Sequence, residues 1–130
     1  MKLLVDTSAA VFFSQKSSRL SKAAYEQLSH SESEVFVSAI SSAELACLWA
    51  SKKVVFADHW KLWFRRMLAI NGWTCLPITL EIIEEAYSLP DLAHRDPADR
   101  ILIATARLER MWLVTTDRII LNYPHVESIS

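Results

Sequence analysis

A chain of 130 residues, 52% apolar and 22% charged, suits one domain that buries roughly two-thirds of its unfolded surface. Its formal net charge of −1 excludes a generic polyanion binder, so any nucleic-acid affinity must come from local basic residues or a bound cation. The single glycine, Gly72, excludes a glycine-rich phosphate loop, and no apolar run approaches the ~20 residues of a membrane span.

The elements alternate along the chain. An apolar strand is expected over residues 2–6, then a short helix over 8–13, a polar loop over 14–18 and an exposed helix over 19–30. Leu20, Ala23, Ala24 and Leu28 give that helix its apolar side. Residues 34–37 read as strand, and Ser38 as the N-cap of a helix running to about Lys52. A long helix over 56–70 is stopped by Asn71-Gly72. Pro77 pushes a strand over 74–78 toward the sheet edge. A helix over 80–87, a loop over 91–95, a helix over 97–110 and strands over 112–116 and 126–129 complete the chain. Strands alternating with helices, without linker or repeat, give one α/β domain over 1–130, a sandwich around a parallel sheet. The start, Met1-Lys2-Leu3-Leu4-Val5-Asp6, is too short for a signal peptide, so a soluble cytoplasmic protein is expected.

Four carboxylates stand where apolar runs end or hand over to a helix. Asp6 follows Leu3-Leu4-Val5, and Asp117 follows Leu113-Val114-Thr115-Thr116. Glu44 shares a helix side with Ile40, Cys47 and Leu48, and Asp99 shares one with Leu102, Ile103 and Ala106. Each has a plainer reading. Glu44 could be a rim residue or pair with an arginine; Asp6 and Asp117 could cap the next helix or turn. Asp96, with Pro97 at the first helical position, reads first as an N-cap. Taken together, however, acids converging on one sheet edge repel unless a cation lies among them. Open parallel sheets also put their chemistry at the carboxyl ends of the strands.

An all-oxygen donor set favours Mg²⁺ or Mn²⁺ over zinc. His30, His59, His94 and His125 follow no ligand spacing, and only His94 lies near the acids. Cys47 and Cys75 read as buried free thiols rather than a disulfide or zinc pair. With no Ser-His-Asp or Cys-His pattern, a metal-activated water is the expected nucleophile and phosphodiester hydrolysis the natural reaction class.

At these residues the chain resembles the PIN domains, and among them the VapC-type ribonuclease toxins of toxin–antitoxin pairs. The matching pieces are Val5-Asp6-Thr7-Ser8, Ser41-Ser42-Ala43-Glu44-Leu45, His94-Arg95-Asp96-Pro97-Ala98-Asp99-Arg100-Ile101-Leu102-Ile103-Ala104 and Leu113-Val114-Thr115-Thr116-Asp117. They come in family order and cover essentially the whole chain. The resemblance implies a three-layer α/β/α sandwich with a mainly parallel sheet and a Mg²⁺- or Mn²⁺-dependent endoribonuclease. It also implies a homodimer, and inhibition by a small antitoxin whose C-terminal segment wraps the site. Asp6, Glu44, Asp99 and Asp117 would form the acidic quartet, with Asp96 a fifth member and Thr7, Ser8 and Thr116 in support. Ala98 departs from the bulky aromatic common at its position.

Arg95 and Arg100, with Lys52-Lys53 and Arg65-Arg66, are the basic candidates for RNA contact, against a simple solvated face. Trp60, Trp63, Phe64 and Met67 form a helical stripe that reads as core or partner surface. Two rivals remain. A haloacid-dehalogenase-like phosphatase would want a second Asp where Ser8 stands, and a non-catalytic PIN-like RNA- or protein-binding domain would typically lose members of the quartet.

Overall fold

Leu3, Leu4 and Val5 are all fully buried, without the alternation of a strand that faces water on one side. They belong to β1 (Lys2–Val5), the central strand of a five-stranded sheet in a computed structural model that describes residues 1–92 and 96–130. The other strands are β2 (Glu34–Ser38), β3 (Thr74–Leu76), β4 (Trp112–Val114) and β5 (Ser128–Ile129). Their order is β3-β2-β1-β4-β5 and every pairing is parallel, with Leu4 opposite Phe36 on one side and Leu113 on the other. The sheet is thus wholly, not merely mainly, parallel.

Among the described residues the helices are α1 (Thr7–Gln15), α2 (Lys22–Ser29), α3 (Ile40–Ala50), α4 (Trp60–Asn71), α5 (Leu80–Ala86), α6 (Pro97–Glu109) and α7 (Arg118–Leu121). Successive residues of a strand point to opposite faces, and the core divides accordingly. Leu3, Val5, Val35 and Val37 pack with Ala9, Ala24, Leu28, Phe64 and Met67 of α1, α2 and α4. Leu4 and Leu113 pack with Leu102, Ile103 and Ala106 of α6 and with Ile120 of α7. Helices cover both faces, which makes the three-layer α/β/α sandwich.

The chain moves outward from β1 to β2 and β3, then jumps back across β1 to β4 and β5. The strand order therefore reverses between β1 and β4, and a crevice opens outside their carboxyl ends.

Several boundaries differ from the sequence expectation for local reasons. α2 starts at Lys22 because the Ser21 hydroxyl caps it, accepting the Ala24 N–H at 3.0 Å, and Leu20 is buried just outside the helix. α3 begins at Ile40 with Ala39 in the cap position; Ser38 still accepts the Ile40 N–H at 3.1 Å. α4 starts only at Trp60, where the His59 ring accepts the Lys61 N–H at 3.3 Å. Its end is as read, with Gly72 at φ 68°, a conformation that favours glycine. The two cysteines are corrected: both are exposed. Cys47 lies two residues, or about 200° of helix, from the buried Leu45. Cys75 sits on the edge strand β3, which has a neighbour on one side only. No helix among the described residues is long and apolar enough to cross a membrane.

Candidate active site

Asp6 is the residue at which β1 becomes α1. Its backbone N–H donates to the Val114 carbonyl at 3.0 Å, and its Oδ1 accepts the Ala9 N–H at 2.8 Å as the cap of α1. The side chain is only 7% exposed. Burial pushes its pKa from 3.8 up to about 6, and the charges of Glu44 and Asp99 add to the rise. Hydrogen bonds from the Thr115 hydroxyl and the Ala9 N–H act in the opposite direction.

Glu44 reaches the same place from the second turn of α3. It is half-buried, and its Oε1 accepts the Thr7 hydroxyl at 2.5 Å; the arginine partner considered from the sequence is replaced by a hydroxyl. Burial, then the charges of Asp99 and Asp96, raise its pKa, while the Thr7 bond lowers it.

The other acids arrive at helix starts. Asp96 caps α6, accepting the Ala98 N–H at 2.9 Å, and Pro97 opens the helix as read from the sequence. Asp99 lies half-buried in the first turn of α6. Asp117 caps the short α7, which the sequence reading missed, by accepting the Ile119 N–H at 2.8 Å. Its own N–H donates to the Thr115 hydroxyl at 3.0 Å.

All five acids line one cavity of about 290 Å³, together with Thr7, Ser8, Thr116 and Leu102. It lies at the crevice between the ends of β1 and β4. Arg95, like His94, lies outside the described residues. Arg100 does not line the cavity: its guanidinium donates to the Ala86 and Leu92 carbonyls at 3.1 and 3.4 Å and lies over the Tyr87 ring. That geometry ties α6 to the end of α5. Two hydroxyls were given no role from the sequence. Thr115, fully buried, holds both Asp6 and Asp117, and its signal is the Thr-x-Asp spacing. Ser41, equally buried, lies three residues before Glu44 and within hydrogen-bond reach of Thr7.

A larger cavity of about 700 Å³ opens between α1, α2 and α4, lined by Phe13, Tyr25, Trp63 and Trp73. Its acid, Asp58, is paired with Arg66 at 2.7 Å, so the chemistry belongs to the smaller site.

The donor set of that smaller site is carboxylate and hydroxyl oxygen, without lining histidine or cysteine among the described residues. Burial first, and the charges of neighbouring acids after it, raise the pKa values of Asp6 and Glu44. Among the described residues no three such side chains are arranged to ligate one ion directly. This donor set suits a hard cation that keeps several waters and takes one or two carboxylates directly, as Mg²⁺ does.

A doubly wound parallel sheet with acids gathered where its strand order reverses is the architecture of the PIN domain family, and the chain belongs to it: the family model matches residues 3–126. It is 35% identical over 129 residues to Ribonuclease VapC22 of Mycobacterium tuberculosis, covering 98% of this chain and 96% of that relative. Among solved structures it is similar to VapBC2 from Rickettsia felis bound to a promoter DNA fragment. There the TM-score is 0.73 and the identity 16%, over 99% of this chain and 98% of the other. A toxin–antitoxin complex from Klebsiella pneumoniae gives 0.68 at 20% identity, over 98% and 96% of the two chains. FitAcB from Neisseria gonorrhoeae gives 0.68 at 19%, with the same coverage. At these identities the structural likeness speaks for the fold.

Proposed function

We propose that the chain is a divalent-metal-dependent endoribonuclease, the toxin of a toxin–antitoxin pair. The observation that carries this reading is the convergence of Asp6, Glu44, Asp96, Asp99 and Asp117 on one cavity at the sheet's switch point. The VapC ribonuclease that the chain resembles along nearly its whole length supports it.

In this reading Asp6, Glu44, Asp99 and Asp117 hold Mg²⁺ or Mn²⁺, with Asp96 a fifth member. A bound ion of this kind supplies an activated water and offsets charge at the phosphorus. The protein's own groups prepare the site. Thr115 and the Ala9 N–H orient Asp6, Thr7 orients Glu44, and the first N–H groups of α7 orient Asp117. Ser8 is exposed at the cavity, and among the described residues no histidine lines it to activate the hydroxyl; in this reading water is the nucleophile.

An exposed apolar stripe supports a homodimer. Leu80, Ile83 and Tyr87 form one stripe along α5, at helical spacing, with Leu80 75% and Tyr87 60% exposed. A second copy of the chain would cover it. A cognate antitoxin is supported by the toxin–antitoxin complexes among the structural neighbours, and an arginine from it would neutralise the acids as a metal does. We place the protein in the cytoplasm, where its RNA substrate is.

The test is incubation with RNA and with para-nitrophenyl phosphate, each with Mn²⁺ and with chelator. Cleavage of RNA alone, and only with Mn²⁺, is expected. Turnover of the phosphomonoester would favour a phosphatase, and RNA binding without cleavage would favour a non-catalytic domain.

A further inference from the structure

Thr7 Oγ1 lies 2.8 Å from Ser41 Oγ and 2.5 Å from Glu44 Oε1. A hydroxyl has one proton to donate, and an ionised carboxylate only accepts. The Thr7 proton therefore goes to Glu44. The contact with Ser41 must then run the other way, with the Ser41 O–H donating to the Thr7 oxygen. The result is a directed chain, Ser41 to Thr7 to Glu44, in which each bond polarises the next. Ser41 is 1% exposed and Thr7 is 5%, so solvent is largely shut out and water is a poor substitute for the Ser41 proton.

The chain also links elements. Ser41 and Glu44 lie one turn apart on α3, while Thr7 is the first residue of α1, directly after Asp6. Thr7 thus fixes the Glu44 carboxylate relative to Asp6, and Ser41 fixes Thr7. A glutamate has three side-chain torsions and several ways to point into an open cavity; the hydroxyl pair selects one of them.

We propose that Ser41 is a positioning residue that acts through Thr7 to hold Glu44 in the cavity, and so sets how tightly the site takes a divalent cation. The metal consequence rests on the reading under Proposed function; the orientation of Glu44 does not. Outer hydrogen-bond partners of metal-ligating groups typically change metal affinity by 10–100-fold when removed.

The experiment is calorimetric titration of chelator-treated full-length protein with Mn²⁺, for wild type, Ser41→Ala, Ser41→Thr, Glu44→Gln and the Ser41→Ala/Glu44→Gln pair. Ser41→Ala should weaken Mn²⁺ binding by about 10–100-fold, and Ser41→Thr, which keeps the hydroxyl, should bind close to wild type. Ser41→Ala should have no further effect once Glu44 is Gln. A crystal structure of the chelated Ser41→Ala protein should show Glu44 in more than one rotamer. Wild-type affinity in Ser41→Ala would overturn the proposal, as would an equal loss in the Glu44→Gln background or a Glu44 carboxylate that has not moved. If the wild type itself takes no Mn²⁺, the metal reading fails, and the crystal structure alone decides whether Ser41 positions Glu44.

Discussion

The N–H of Asp6 donates to the carbonyl of Val114 at 3.0 Å. This one backbone bond extends the β1–β4 pairing past the end of β1 and fixes the first acid beside the strand that delivers the last. Asp6 thereby sits low in the crevice, more deeply buried than Glu44, Asp96, Asp99 or Asp117. Burial, more than the neighbouring charges, is what raises its pKa.

That rise dictates a pH dependence. In the folded, metal-free protein Asp6 titrates at about 6, against 3.8 ordinarily. The native state holds the proton to higher pH than the unfolded chain, so this contribution to stability is complete below pH 3.8 and is lost as the pH rises through about 6. Denaturant melts with chelator at pH 4.5, 6 and 7.5 should show this loss, superimposed on the titration of the other acids. Mn²⁺ should diminish it by stabilising the ionised form. A metal-free protein steadily more stable up to pH 7.5 would contradict the assignment to Asp6.

Asp6→Asn removes the same cost while keeping an oxygen to accept the Ala9 N–H. With chelator near pH 7 the variant should be more stable than wild type, by roughly 1–3 kcal/mol. It should also lose most of the stabilisation that Mn²⁺ gives. A variant less stable than wild type in chelator, yet equally shifted by Mn²⁺, would place Asp6 outside any metal site.

Thr115→Val tests the hydroxyl that joins two acids. Valine fills the same fully buried space but takes the acceptor from the Asp117 N–H and leaves the Asp6 carboxylate only the Ala9 N–H. The expected loss is about 1–3 kcal/mol in denaturant melts, with weaker RNA cleavage. Thr116→Val, at a half-buried neighbour lining the cavity, should cost less stability. Equal effects would argue against the Thr115 bridge.

For the oligomer, Leu80→Asp puts a charge on the proposed contact at a position 75% exposed in the single chain. Light scattering should show a dimer for wild type and a monomer for the variant, with the melting temperature of the chain little changed. A monomeric wild type at micromolar concentration would rule the contact out.

The acids were legible because each adjoins apolar residues whose strand or helix character is local: Asp6 after Leu3-Leu4-Val5, Asp99 on the helix side of Leu102, Ile103 and Ala106. Ser41 and Thr115 were not, because a hydroxyl matters here through partners contributed by other elements, and Thr7 or Asp6 comes beside it only once the sheet has assembled. The cysteines misled for a related reason. Cys47 has apolar sequence neighbours, but which side of α3 is covered depends on where α4 and α6 pack. The four-residue α7 is too short to carry a period; what stabilises it is the Asp117 cap. The late start of α4 likewise reflects the His59 cap rather than any change in apolar spacing.

The central claim is that the clustered carboxylates carry out metal-dependent RNA cleavage, and Asp99→Asn tests it most directly. The substitution is nearly isosteric and leaves the Asp96 cap and Pro97 start of α6 in place. The measurement is the rate of cleavage of a mixed RNA substrate by the purified wild type and variant, each with Mn²⁺ and with chelator, alongside circular dichroism to show that both are folded. The account predicts cleavage by wild type with Mn²⁺ only, and none by the folded variant in either condition. Undiminished cleavage by Asp99→Asn, or cleavage by wild type in chelator, would contradict it.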